Sequence, residues 1–164
     1  MDNIIGTAFF DHPHIKGSID FIENIGKKTV TIKGELKSNK YKNSLHGFHV
    51  HEAGDLTDNC LGACSHFNPY HKQHGGPSDI ERHVGDLGNI IFNDKGIGVI
   101  NMEDNMIKLR GTKSNIIGRA LVIHEKRDDL GLGNNKESLI TGNAGKRITC
   151  AVIGYSKKMY KNKV

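Results

Sequence analysis

This sequence predicts an all-β fold: an eight-stranded Greek-key β-sandwich or barrel carrying two long functional loops. Three observations predict it. Short runs of alternating apolar and polar residues recur along the chain, the two-residue period of a half-buried strand. Turn-forming residues separate those runs, and the chain holds 20 glycines, 3 prolines and no tryptophan. No stretch carries a convincing helical period. Consecutive short strands without helices pack as a sandwich or a closed barrel.

The elements follow in order. Residues 4–10 and 15–22 form the first two strands, parted by the turn-like Asp11-His12-Pro13-His14. Thr29-Val30-Thr31-Ile32-Lys33 alternates with Val30 and Ile32 on one face. The fourth strand covers 45–51. Residues 52–84 then lose all periodicity and gather Gly, Pro, His and Asn; a loop of that length in a compact domain usually has a function. Strands return at 87–92 and 97–102, joined by Asn93-Asp94-Lys95-Gly96. A strongly apolar strand over 116–124 leads into a second long loop, 125–146, and a last strand at 148–153. No internal repeat is visible, and a basic tail at 155–164 ends a single domain spanning 1–164.

A chain of 164 residues is long enough for one domain with its own core. The net charge of +5 is spread over scattered lysines. Aromatic and basic residues do not interleave as in single-strand binders, so nucleic acid is not an expected partner. No run approaches the roughly 18 apolar residues of a membrane span, and the first residues carry Asp2 where a secretory leader would be basic. The reading is a soluble, cytoplasmic protein. Of the three cysteines, Cys60, Cys64 and Cys150, at least one stays a thiol if a disulfide forms.

The most informative stretch is Gly47-Phe48-His49-Val50-His51-Glu52. One intervening residue sends His49 and His51 to the same side of a strand, placing two imidazoles together. His66, His74, His83, Asp86 and His124 supply donors for more than one metal. Nitrogen-rich sets suit copper or zinc, and three histidines with a carboxylate suit tetrahedral zinc. His74, His83 and Asp86, with His66 upstream, make such a set; His49, His51 and His124 make a second, and one shared histidine completes both. His46 falls off this phase and is assigned to packing and hydrogen bonding. His12, His14 and His71 fit no ligand position and are expected in solvent.

These strings, together with His66-Phe67-Asn68-Pro69, His74-Gly75-Gly76-Pro77, Arg82-His83-Val84-Gly85-Asp86-Leu87-Gly88-Asn89, Val122-Ile123-His124-Glu125-Lys126 and Gly142-Asn143-Ala144-Gly145-Lys146-Arg147, resemble the copper/zinc superoxide dismutases. Their order and spacing follow that family to about Gly154. The resemblance implies one copper per chain on His49, His51, His66 and His124. It implies one zinc on His66, His74, His83 and Asp86, with His66 bridging. Asp128 matches the carboxylate linking a copper histidine to a zinc histidine, and Arg147 the arginine that attracts and positions the anion. His66 and Arg147 thereby become the catalytic pair. Cys60 and Cys150 match the family's disulfide, which leaves Cys64 as a thiol; a Cys60–Cys64 pairing is the alternative.

The implied activity is disproportionation of superoxide to dioxygen and hydrogen peroxide, the electron carried by copper because zinc keeps one oxidation state. The rival class is a non-catalytic metal-binding or partner-binding relative; it is disfavoured because every ligand and Arg147 are present. A zinc hydrolase is less favoured still, since a four-ligand zinc leaves no open position. Lys136 stands where the family often has an acid and Ile140 where it has a lysine, so guidance of the anion falls to Arg147, Lys126 and Lys136. The family's eukaryotic members are usually homodimers, although Ala53 replaces an interface aromatic. Lys146-Arg147-Ile148-Thr149-Cys150 lacks the proline associated with dependence on a copper chaperone, which implies that the chaperone is dispensable. Abundant Asn, Ile and Lys are compatible with a large virus or a protist; for a virus, the location becomes the host cytoplasm.

Overall fold

The computed structural model describes residues 3–160. Eight antiparallel strands close into a barrel in the order β1-β2-β3-β6-β5-β4-β7-β8. They are β1 (Ile4–Asp11), β2 (Ile15–Glu23), β3 (Val30–Ser38), β4 (Ser44–His51), β5 (Asp86–Phe92), β6 (Ile97–Asp104), β7 (Ala120–His124) and β8 (Arg147–Tyr155). The neighbours β3–β6 and β4–β7 are the crossovers that make the connection Greek-key. Closure removes every free sheet edge. One four-residue helix, α1 (Ser138–Thr141), sits in the second long loop.

Alternation builds the core. On β1 Ala8 and Phe10 point inward, on β2 Ile15, Ile19 and Phe21, and on β3 Val30, Ile32 and Leu36; all are fully buried and pack in one cluster. The third strand runs five residues past its expected end because Leu36 and Ser38 continue the inward phase beyond Gly34. The seventh is shorter than expected. Residues 116–119 turn instead of pairing, with Gly118 at φ +84° and Arg119 N–H donating to the Ile116 carbonyl. The last strand continues through Tyr155, and Ser156 N–H bonds the Ile5 carbonyl. Lys158 pairs with Asp20, so the segment expected as a tail is docked as far as Tyr160; 161–164 lie outside the described residues.

Two register shifts fall where the site lies. β4 slips against β5 between Gly47 and His49, and β7 slips against β8 between Ile123 and His124. A bulge re-aims side chains and tightens local twist. Here the shifts bring His49 and His124 toward each other, their ring centroids 4.9 Å apart.

Candidate metal centre

Seven side chains from β4, β5, β7 and the first loop converge at one end of the barrel. His49 and His51 come from β4, Asp86 opens β5 and His124 ends β7. His66, His74 and His83 come from the 52–84 loop, which folds back onto β4 through reciprocal bonds: Phe67 N–H to the Val50 carbonyl at 2.9 Å and Val50 N–H to the Gly85 carbonyl at 2.9 Å. All seven are buried. Their donor atoms form two overlapping groups, His49-His51-His66-His124 and His66-His74-His83-Asp86, with His66 in both.

Hydrogen-bond partners fix which ring nitrogen is bare. A carbonyl only accepts, so His51 Nδ1–H donates to Cys64 O (2.9 Å) and His124 Nδ1–H to Gly145 O (3.1 Å). Each Nε2 is then a lone pair, and the two lie 3.2 Å apart. His49 Nε2–H donates to Asp128 Oδ2 at 2.7 Å, which leaves a buried Nδ1 with no partner. Lone pairs crowded in a dry pocket repel unless a cation lies between them. In the second group Asp86 Oδ1 lies 2.9, 3.0 and 3.1 Å from Nδ1 of His66, His74 and His83. His74 Nδ1 is close to that oxygen but not aligned to bond it and is also unpartnered. The donors fit two transition-metal ions: an all-nitrogen set and a nitrogen set with one carboxylate.

Electrostatics agree with that division. Burial, reinforced by the neighbouring His49, pushes His66 down to about 3. Burial and the same neighbour push His124 down to about 2. Burial and His66 hold His51 well below the usual range. These imidazoles stay neutral and can donate lone pairs. Burial works against a charged His74, but the bond to Asp128 and the nearby Asp86 carboxylate outweigh it and push it up to about 9. Burial likewise opposes ionisation of Asp86, yet its three histidine neighbours keep it far below the carboxylate range.

The supports are equally specific. Asp128 spans the two groups, accepting from His49 Nε2 and from His74 Nε2 (2.8 Å). Asn89 on β5 clamps its backbone from both sides, at 2.7 and 3.0 Å. Such partners fix ring orientation and basicity. Gly142, at φ +69°, lets the loop pass: a Cβ there would lie 2.0 Å from Asp128 Oδ1 and 2.5 Å from His74 Nε2. A Cβ on Gly47 would meet Ala144 Cβ at 2.8 Å. Fully buried Arg82 bonds the Asp86 carbonyl at 2.5 Å and pairs with Asp104 at 2.5 Å. His46, as expected, packs and bonds: its Nδ1–H holds the His124 carbonyl at 2.8 Å.

A cavity of about 470 Å³ opens onto the nitrogen-rich group, lined by His51, His66, His124 and Arg147. The Arg147 guanidinium is anchored to the Cys60 and Cys64 carbonyls. Cys60 and Cys150 form a disulfide and Cys64 is an exposed thiol, which removes the Cys60–Cys64 alternative. Lys126 and Ile140 line the cavity, but Lys136 lines a separate hollow beside Leu139. Lys136 therefore does not line the substrate cavity. The cavity cation that sequence reasoning missed is Lys146; its place beside Arg147 was the available signal. Asn89, Arg82 and Gly142 were also missed as supports, since their contacts with Asp128, Asp86, Asp104 and His74 exist only once the chain has folded. Of the other histidines, His71 is exposed, while His12 and His14 are half-buried, with His14 Nδ1–H donating to Asn39 Oδ1 at 3.0 Å.

The sequence matches the family model described as copper/zinc superoxide dismutase over residues 15–153. The chain belongs to the copper/zinc superoxide dismutase family. A superoxide dismutase [Cu-Zn] of Paramecium bursaria Chlorella virus 1 is 56% identical over 89% of this chain and 76% of its own length. Superoxide dismutase [Cu-Zn] 5 of Dictyostelium discoideum is 52% identical over 87% and 92%. An extracellular superoxide dismutase [Cu-Zn] of Drosophila melanogaster is 46% identical over 92% and 82%. The crystal structure of the clock protein EA4 superposes with a TM-score of 0.89 at 42% identity, covering 95% of this chain and 97% of that one. The dismutase is thus an oxidoreductase that takes superoxide as substrate and copper and zinc as cofactors. None of its described helices is long and apolar enough to cross a membrane.

Proposed function

We propose that the dismutase holds copper on His49, His51, His66 and His124 and zinc on His66, His74, His83 and Asp86. The observation that carries this reading is the trio of bare nitrogens, His49 Nδ1, His51 Nε2 and His124 Nε2, turned toward one another beside His66 at the base of the cavity. Bound there, copper supplies a one-electron couple, oxidising one superoxide to dioxygen and reducing a second to hydrogen peroxide, while zinc keeps one oxidation state. Lys126 and Lys146 at the cavity draw the anion inward; superoxide dismutases are themselves a standard example of such steering. Arg147, already held by two carbonyls, has its remaining N–H groups free to orient the anion. His66, whose Nδ1 side is taken up by Asp86, would take up a solvent proton at Nε2 and pass it to the second superoxide, the other proton of hydrogen peroxide coming from solvent. Asp128 positions His49 and His74.

Arg147→Ile tests the assignment. Its kcat/KM is expected to fall by about tenfold or more, through lost attraction and orientation together, with copper content unchanged by metal analysis. An unchanged rate would transfer guidance to Lys126 and Lys146.

Three further assignments belong to this reading. Residues 1–164 form one domain that pairs as a homodimer; Val152, Leu56 and Leu61 offer exposed apolar surface for it. Sedimentation equilibrium at twice the monomer mass supports pairing; a monomer at micromolar concentration overturns it. Copper loads without a dedicated chaperone because no proline restrains residues 146–150. Inactive, reduced protein in a chaperone-deficient host, rescued by the chaperone, would sink that assignment. The dismutase acts in the cytoplasm, or the host cytoplasm if viral; recovery only from secreted fractions would refute this.

A further inference from the structure

Away from the metal centre, the β1–β2 turn carries another pair of imidazoles, which the dismutase reaction does not use. The turn is a tight hairpin. His12 N–H donates to the Ile15 carbonyl at 3.0 Å and Ile15 N–H to the His12 carbonyl at 3.3 Å, with Pro13 and His14 between them. Proline fixes its own φ, so little freedom is left in the loop. Both histidines lie half-buried rather than in open solvent. Their ring centroids are 5.7 Å apart, with the planes at 64°. The imidazole pairs assigned to a common ion in the metal centre span that separation, from 4.2 Å for His49 and His66 to 6.5 Å for His49 and His51.

We propose that His12 and His14 form a further metal site, on the surface, that takes an exchangeable copper ion. Each ring is oriented before any ion arrives. Asn39 reaches across from the loop after β3, and its Nδ2–H donates to the Pro13 carbonyl at 3.2 Å. That turns its Oδ1 to accept His14 Nδ1–H at 3.0 Å. His14 Nε2 is therefore a bare lone pair. Asp128 serves His49 in the same way, where a partner on one ring nitrogen leaves the other for a metal. The His12 ring is held at Nδ1, which accepts His14 N–H at 3.2 Å. Binding an ion through His12 sacrifices that single long bond. Burial, then His14 and Lys40, hold the His12 imidazole below its usual range, so it offers a lone pair at neutral pH. Fixing both rings beforehand lowers the entropic cost of binding.

The surroundings select the ion. Calcium and magnesium want clustered oxygen ligands, and the adjacent carboxylate, Asp11, is already paired with Lys16 at 2.6 Å. Lys40 leans over the Tyr41 ring, 5.5 Å from its centroid, and adds positive charge that discourages a purely electrostatic guest. What remains is affinity for nitrogen. Imidazoles suit zinc, nickel and copper, and among the divalent ions copper binds a given nitrogen site most tightly. Structural zinc wants four protein ligands, and the turn supplies two. Water fills the other positions, so the ion held here exchanges readily, unlike one enclosed by the buried centre.

The test uses the copper- and zinc-loaded dismutase. Its own copper and zinc are counted first by metal analysis, so that a failed centre and a failed outer site are distinguishable. Equilibrium dialysis against copper(II) chloride, with magnesium in large excess, is expected to add a further copper per chain, saturably. His12→Gln/His14→Gln is expected to lose that copper, and Asn39→Ala to hold it about tenfold more weakly. His71→Gln, which removes an exposed histidine elsewhere, and parent protein alkylated at the exposed Cys64 thiol are expected to keep it. Dismutation rates and melting temperatures of the histidine variants equal to the parent's complete the supporting result. The parent gives a direct reading as well: substoichiometric copper(II) is expected to broaden the ring-proton NMR signals of His12 and His14 before those of His71. The proposal is overturned if the parent takes up no further copper, or if His71 broadens first. Added copper that survives His12→Gln/His14→Gln, or that disappears with His71→Gln or alkylation, overturns it equally.

Discussion

Cys64 sits at φ 62° and ψ −148°, a region that only glycine enters without strain, at a cost of about 1–3 kcal/mol for other residues. Its carbonyl accepts from both His51 and Arg147, so the strained backbone joins a metal donor to the substrate-orienting cation. Cys64→Gly keeps that carbonyl in place and relieves the strain, offset in part by glycine's larger unfolded-state entropy. The expected gain is about 1 kcal/mol, read from the denaturant midpoint with the disulfide intact. A loss of stability would show that the thiol itself makes a favourable contact. His74 carries a second residue-scale consequence. Its folded value near 9 lies above the ordinary 6.5, so in metal-free protein its stabilising charge is complete below about 6.5 and lost as pH rises through about 9. Zinc must displace that proton. Apparent zinc affinity of the metal-free protein should therefore climb by about tenfold per pH unit over that window, measured by competition with a coloured chelator. A flat profile would remove His74 from the zinc set.

At the scale of elements, what was legible depended on how local its cause was. His49 and His51 were readable because period two is enforced by every residue of β4. The shared face of Val30 and Ile32 on β3 was readable for the same reason. The missed features have non-local causes. Residues 116–119 carry a strand-like apolar pattern yet turn, because Ile116 N–H and Arg119 N–H are satisfied outside any ladder. Asp58, Asn59 and Cys60 stand at φ 58°, 52° and 69° in succession, a left-handed run that Asp and Asn tolerate singly but that no local signal announces as a run ending on a cysteine. That run delivers the Cys60 carbonyl to Arg147, and the disulfide to Cys150 ties it to β8. Lys146 and Lys136 could both be read as charges but not placed inside or outside the cavity, because the fold of the second loop decides which lysine faces the substrate. Asp129 sets that fold by accepting from Ser138 Oγ and Asn143 Nδ2 at 2.7 and 2.6 Å.

Across the whole molecule, the barrel and the metal centre depend on different interactions. The buried cluster that runs from Ala8 through Ile32, Phe48 and Phe92 to Ile153 contains no metal donor. The donors instead join the two long loops to the barrel: His66, His74 and His83 from the first loop meet Asp86 and the β4 histidines, and Asp128 brings in the second. Removing the metals leaves bare nitrogens crowded against one another and Asp86 charged among histidines, while the apolar core keeps its contacts. Loosening should therefore begin in the loops, since local opening follows the weakest cooperative unit. Hydrogen exchange on chelator-treated protein is expected to speed up over 66–83 and 126–143 while the amides of β1, β2, β3 and β6 stay protected. Zinc alone should restore the first loop, because three of its four donors lie in it and Asp86 opens the strand that follows. Uniform loss of protection across all eight strands would mean instead that the barrel cannot hold without its metals.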